Sequence, residues 1–129
     1  MTDMEVLLDY CMRADLVDSR LVLNAIRNQN AKTVNQLVDE AHKTAAEHGW
    51  WDNPKHILEL ICLMHCELSE AAEAYRNSEG DDRIVEELAD VVIRIFDLCG
   101  SRGWDLEKSV LNKMAFNKTR PYRHGGKLA

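Results

Sequence analysis

The stretch ELSEAAEAYRNSEGDDRIVEELAD, running from Glu67 to Asp90, decides how this chain folds. An acidic couplet stands at each end, Glu67-x-x-Glu70 and Glu87-x-x-Asp90. Each has i, i+3 spacing, so on a helix its two carboxylates point the same way. The polar joint Asn77-Ser78-Glu79-Gly80-Asp81 between them is short, which makes the two helices antiparallel neighbours. Four carboxylates can then converge on one spot. Like charges that close cannot all stay ionised unless a cation lies among them. Ligation entirely by oxygen suits Mg²⁺, with Mn²⁺ as a substitute.

The pattern on either side is helical as well. No sustained alternation of apolar and polar residues and no Asn-Gly hairpin is present, so strands are not expected. Two short helices are expected over 4–14 and 17–28, followed by a polar joint at Asn28-Gln29-Asn30-Ala31-Lys32. Thr33-Val34-Asn35-Gln36 has the form of a capping box and opens a helix to about His48, stopped by Gly49. Asn53-Pro54 is expected to restart helix, with Asn as cap and Pro first, as far as about Asn77. Asp81 or Asp82 caps the next helix, which ends near Cys99-Gly100. Asp105 caps the last, and Pro121 lies beyond its end. The expected fold is all-α: a bundle with a core of four helices in residues 33–129, an N-terminal helical extension in residues 1–32, and oligomerisation to complete it.

Two helix wheels sharpen this. With Glu67 at zero and about 100° per residue, Leu60, Ala71, Met64, Ile57, Tyr75, Leu68 and Ile61 fill an arc from about 20° to 120°. Glu67 borders that apolar arc, where a carboxylate is costly to desolvate unless paired or metal-bound. The helix over 84–99 is apolar nearly all round, which predicts burial. Its polar residues Arg83, Glu86, Glu87, Asp90, Arg94 and Asp97 form one narrow stripe, facing solvent or a wet site, which the partner couplet favours, with an ion-pair network through Arg83 and Arg94 as the alternative.

The net charge of −6 argues against a nucleic-acid partner, whose binders are usually basic. The charge is uneven, because residues 112–129 hold five Lys or Arg and no Asp or Glu. Within that tail Lys113, Asn117 and Arg120 fall at i, i+4, i+7 on one face and match phosphate oxygens. The adjacent Trp50 and Trp51 offer flat faces on which a base can stack, and one of the two is expected to plug the core. The cysteines Cys11, Cys62, Cys66 and Cys99 form no paired motif and read as buried, reduced thiols. His42, His56 and His65 read as structural or exposed. No Ser-His-Asp arrangement, P-loop or set of Glu-x-x-His motifs is present. No signal-peptide pattern or apolar run of about 20 residues is seen, so a soluble, cytoplasmic protein without a membrane partner is expected.

Glu67-x-x-Glu70, an ordinary spacer and Glu87-x-x-Asp90 together resemble the signature of the MazG-like, all-α nucleoside triphosphate pyrophosphohydrolases. So do the Gly49-Trp50-Trp51-Asp52 turn and the closing Lys113…Asn117…Arg120-Pro121…His124-Gly125-Gly126-Lys127. The resemblance covers residues 33–127. It implies hydrolysis of a (deoxy)nucleoside triphosphate between the α- and β-phosphates, with Mg²⁺ held by Glu67, Glu70, Glu87 and Asp90. It also implies phosphate contacts from Lys113, Asn117 and Arg120, weaker ones from Lys118, Tyr122 and Arg123, and a base near Trp50 or Trp51. Family members are dimers or dimer-of-dimers tetramers. The alternative from another class is a non-catalytic helical module for nucleotide sensing or dimerisation.

Overall fold

The computed structural model describes Thr2, Asp3, Glu5, Val6, Asp9 and residues 19–128, and it is helical with no strand among them. The chain divides into two compact units, Met1–Lys32 and Thr33–Ala129. In the first unit, Thr2 Oγ1 accepts from the Glu5 amide and the Glu5 carboxylate accepts from the Thr2 amide, a local capping box. Most of the helix expected over 4–14 lies outside the described residues. Helix α1 (Ser19–Asn30) follows. It runs through three residues of the expected polar joint, Asn28, Gln29 and Asn30, before stopping.

The second unit contains α2 (Val34–Glu47), α3 (Ile57–Arg76), α4 (Asp81–Arg102), α5 (Leu106–Thr119) and a four-residue turn, α6 (Arg123–Gly126). The capping box at Thr33 forms in both directions: Thr33 Oγ1 accepts from the Gln36 amide at 3.1 Å, and Gln36 Oε1 accepts from the Thr33 amide at 2.8 Å. Gly49, at φ +82°, turns the chain after α2. Asn53-Pro54 does not start α3. His56 caps it instead, accepting from the Leu58 amide at 3.1 Å, and residues 51–56 form the turn that carries Trp51. Asp81 and Asp82 lie inside the first turn of α4, where their charges suit the helix dipole, and Gly80 is the cap residue. Helix α4 runs on past Gly100 and closes at Gly103 in the left-handed conformation.

Helix α4 is the centre of the unit, packed on α3 along one side and on α2 along another. Gly100 permits the close approach of α2, since a Cβ there would stand 2.5 Å from the His42 Cβ and 3.1 Å from the Val38 carbonyl oxygen. Helix α5 is tied to α2 at their N-termini. Glu107 accepts from the Val34 amide at 3.0 Å, while Asn35 accepts from the Glu107 amide at 3.2 Å. Asn35 Nδ2 also donates to Asp105 at 2.8 Å, and this bond, followed by the Lys108 amide, holds the Asp105 carboxyl below the usual carboxylate range.

The core is thin. Val38, Ala71, Ala74, Leu98 and Cys99 are its buried apolar residues among those described. The helix over 84–99 was expected to be buried, yet Val85, Leu88, Val92 and Ile93 are exposed. Two neighbours cover only part of a helix's circumference, and the rest of α4 has no partner within the unit. On α3, Leu58, Ile61, Leu68 and Tyr75 are also exposed and fall on one face. Cys62 and Cys66 are exposed rather than buried, because they point away from the α4-facing Ala71 and Ala74. Cys99 is buried, which pushes its thiol up, whereas Cys11 lies outside the described residues. No helix among the described residues is long and apolar enough to cross a membrane.

Candidate metal centre

The face of α3 that meets α4 is built from Glu67, Glu70, Ala71 and Ala74. The two alanines are buried and small, so the helices can close on each other. The two glutamates then stand at the seam opposite Glu87 of α4. One carboxylate oxygen from each of Glu67, Glu70 and Glu87 can be chosen so that all lie within 4.8 Å of one another. Three such oxygens can hold a metal ion, and as hard donors they fit a hard divalent cation.

The three carboxylates differ in their surroundings. Glu87 is 3 % exposed, and its Oε1 forms an ion pair with Arg83 Nη2 at 2.6 Å. Arg83 also pairs with Glu86 at 3.3 Å, and these acids hold its proton more tightly still. Glu67 is half-buried and accepts from Arg94 Nε at 2.8 Å, a bond that crosses from α4 to α3. Glu70 is exposed and has the other two carboxylates as neighbours. Its carboxyl is held above the ordinary range, first by hydrogen bonding with Glu67, then with Glu87, and further by the repulsion of their charges. Crowded carboxylates behave in this way.

Three of the four expected carboxylates thus meet. Asp90 is exposed, one turn further along α4, and stands outside the group. Lys113 and Arg120 lie over the Phe116 ring, at 5.1 and 5.8 Å from its centroid; Lys113 and Asn117 are exposed on α5, and Arg120 is half-buried at its C-cap. No hydrogen bond or ion pair among the described residues joins them to the carboxylates. Tyr122 is exposed, with the Arg123 guanidinium 5.7 Å from its ring centroid.

The two tryptophans part company. Trp50 is 67 % exposed, with the Lys55 ammonium 5.7 Å from its ring centroid. Trp51 turns inward and donates from Nε1 to Asp97 Oδ1 at 2.8 Å. His42 Nδ1 bonds the same oxygen at 2.9 Å and meets the Trp51 ring edge-on at 5.3 Å. Trp51 and His42 line a cleft of about 380 Å³ together with Lys55, Ser101 and Arg102. Asp97 lies roughly 15 Å along α4 from Glu87 by helical rise.

The roles of Arg94, Asp97 and His42 were not legible in advance. Arg94 did carry a signal, since Arg83, Glu87, Asp90 and Arg94 share one face of α4. Asp97 shares that stripe, and there it meets His42 of α2 and Trp51 of the 51–56 turn rather than the three glutamates. Comparison with protein-family models, with curated proteins and with solved structures found no match to this chain.

Proposed function

We propose that this chain is a Mg²⁺-dependent nucleotide pyrophosphohydrolase, of the MazG-like type that its motifs resemble. It would cleave (deoxy)nucleoside triphosphates between the α- and β-phosphates, as a house-cleaning enzyme of the nucleotide pool. The observation that carries this reading is the meeting of Glu67, Glu70 and Glu87 from two helices within 4.8 Å. Two of the three are withdrawn from solvent, and charge is not gathered at a helix seam without compensation.

Glu67, Glu70 and Glu87 would hold the metal, with Asp90 one turn away. The chemistry such an ion would supply there is Lewis acidity for the attacking water and charge balance at the transition state. Water adds to the α-phosphorus, the bond to the bridging oxygen breaks, and pyrophosphate leaves. Lys113, Asn117 and Arg120 would bind the phosphate chain, with Tyr122 beside them. Trp50 or the cleft at Trp51 would take the base, and the length of α4 between Asp97 and Glu87 suits an extended nucleotide. The exposed apolar faces of α3 and α4 favour a homo-oligomer, a dimer or a dimer of dimers.

A second reading has an observation of its own. Arg94 and Arg83 already pair with Glu67 and Glu87, so the group can serve as an ion-pair network in a non-catalytic sensing or dimerisation module. Pyrophosphate release from a panel of ribo- and deoxynucleoside triphosphates, with Mg²⁺ and with EDTA, separates the two. Metal-dependent release that is lost in Glu87→Gln is expected. No release from any triphosphate by folded protein would leave the second reading standing.

A further inference from the structure

Two of the three carboxylates already have a guanidinium partner, Glu87 in Arg83 and Glu67 in Arg94. The Arg83–Glu87 bond joins residues one turn apart on α4, an ordinary helical pair. Arg94 is different. It reaches from α4 to Glu67 on α3, 27 residues away in the chain, and bonds through Nε alone at 2.8 Å. Among the described residues, its two Nη groups make no hydrogen bond.

With Glu86, which shares Arg83, four carboxylates and two guanidiniums leave the group with two formal negative charges. A divalent cation arriving alone would have to displace Arg94 from Glu67 or stand beside it, and either is unfavourable. A polyphosphate removes that obstacle. It brings negative charge, and its oxygens can accept both arms of the planar fork of a released guanidinium. Resting on the metal reading above, we propose that Arg94 is a positioning residue that acts as a built-in counter-ion. It holds Glu67 in the metal-free protein and passes to the phosphate chain on loading, so that metal and triphosphate bind cooperatively. By linkage, whatever the triphosphate does for metal affinity, the metal does for triphosphate affinity.

The test is Mn²⁺ binding to the full chain by electron paramagnetic resonance at buffered free Mn²⁺. It compares the unaltered protein, Arg94→Gln and Arg94→Lys, each with and without saturating inorganic tripolyphosphate, which needs no knowledge of the preferred base. Losing a charge-assisted competitor should let Arg94→Gln bind Mn²⁺ alone about tenfold more tightly than the unaltered protein. Arg94→Lys keeps the charge and should remain within about threefold of it. Tripolyphosphate should tighten Mn²⁺ binding by about tenfold in the unaltered protein and much less in Arg94→Gln. Equal or weaker Mn²⁺ binding by Arg94→Gln, or no effect of tripolyphosphate on the unaltered protein, overturns the inference while leaving the metal site intact. The tripolyphosphate arm decides by itself should the Gln variant not fold. Absence of Mn²⁺ binding in every protein and condition removes the metal reading, and this inference with it.

Discussion

Glu70 carries the electrostatic cost of the carboxylate group. Glu67 and Glu87 each have an arginine, whereas Glu70 meets their negative charge, and its carboxyl is raised from the ordinary value of 4.5. The sign of the consequence follows from proton counting. Between the ordinary value and the raised one, the folded chain binds more protons than the unfolded chain, so stability falls as pH rises through that window. In EDTA, Glu70→Gln should therefore melt higher than the unaltered protein at pH 7.5, with the gap closing as pH falls toward 4.5. Saturating Mg²⁺ should reverse the order at pH 7.5, because ligand that binds only the folded state raises its melting temperature and the Gln variant loses a charged ligand. A melting gap independent of pH in EDTA would show that the three carboxylates do not share a site.

Among the elements, the seam between α2 and α4 is closed at a glycine. Gly100 lets the two helices touch, and that contact puts His42 and Trp51 on one oxygen of Asp97. Gly100→Ala would gain helix propensity of up to about 1 kcal/mol. It would also force a backbone shift, because the new Cβ meets a carbonyl oxygen and another Cβ rather than the end of a flexible side chain. Overpacking of this kind costs about 1–3 kcal/mol, so a net loss is expected in urea unfolding. Tryptophan fluorescence should change in the folded baseline as Trp51 moves. A variant as stable as its parent with unchanged fluorescence would mean that α2 and α4 are not held at this distance. The α3–α4 seam is closed differently, by alanines, and this leaves room for the three glutamates at its edge.

At the scale of the whole molecule, unit Thr33–Ala129 buries few apolar residues and exposes two rows of them, Leu58, Ile61, Leu68 and Tyr75 on α3 and Val85, Leu88 and Val92 on α4. Rows of that length on a helical bundle call for cover. Light scattering coupled to gel filtration should give at least twice the chain mass of 14.8 kDa, and Leu58→Lys with Val85→Lys should shift the population toward single chains. A monomeric unaltered protein at micromolar concentration would sink the oligomer. The helical class, the cap at Thr33, the joint at residues 77–81 and the pairing of α3 with α4 were all legible in the sequence by itself. Each depends on periodicity or on a cap that acts within a few residues. The acidic couplets were legible for the same reason, since i, i+3 spacing puts both members on one face. The sequence did not reveal that Asp90 stands apart from the other three acids, that Arg94 reaches Glu67, that Trp51 rather than Trp50 turns inward, or that α4 is half uncovered. Those outcomes depend on how far apart two helices pack and how each is rotated about its axis. Both are set by residues distant in the chain, such as Gly100 against His42 and Ala71 and Ala74 against α4, so only the tertiary structure decided them.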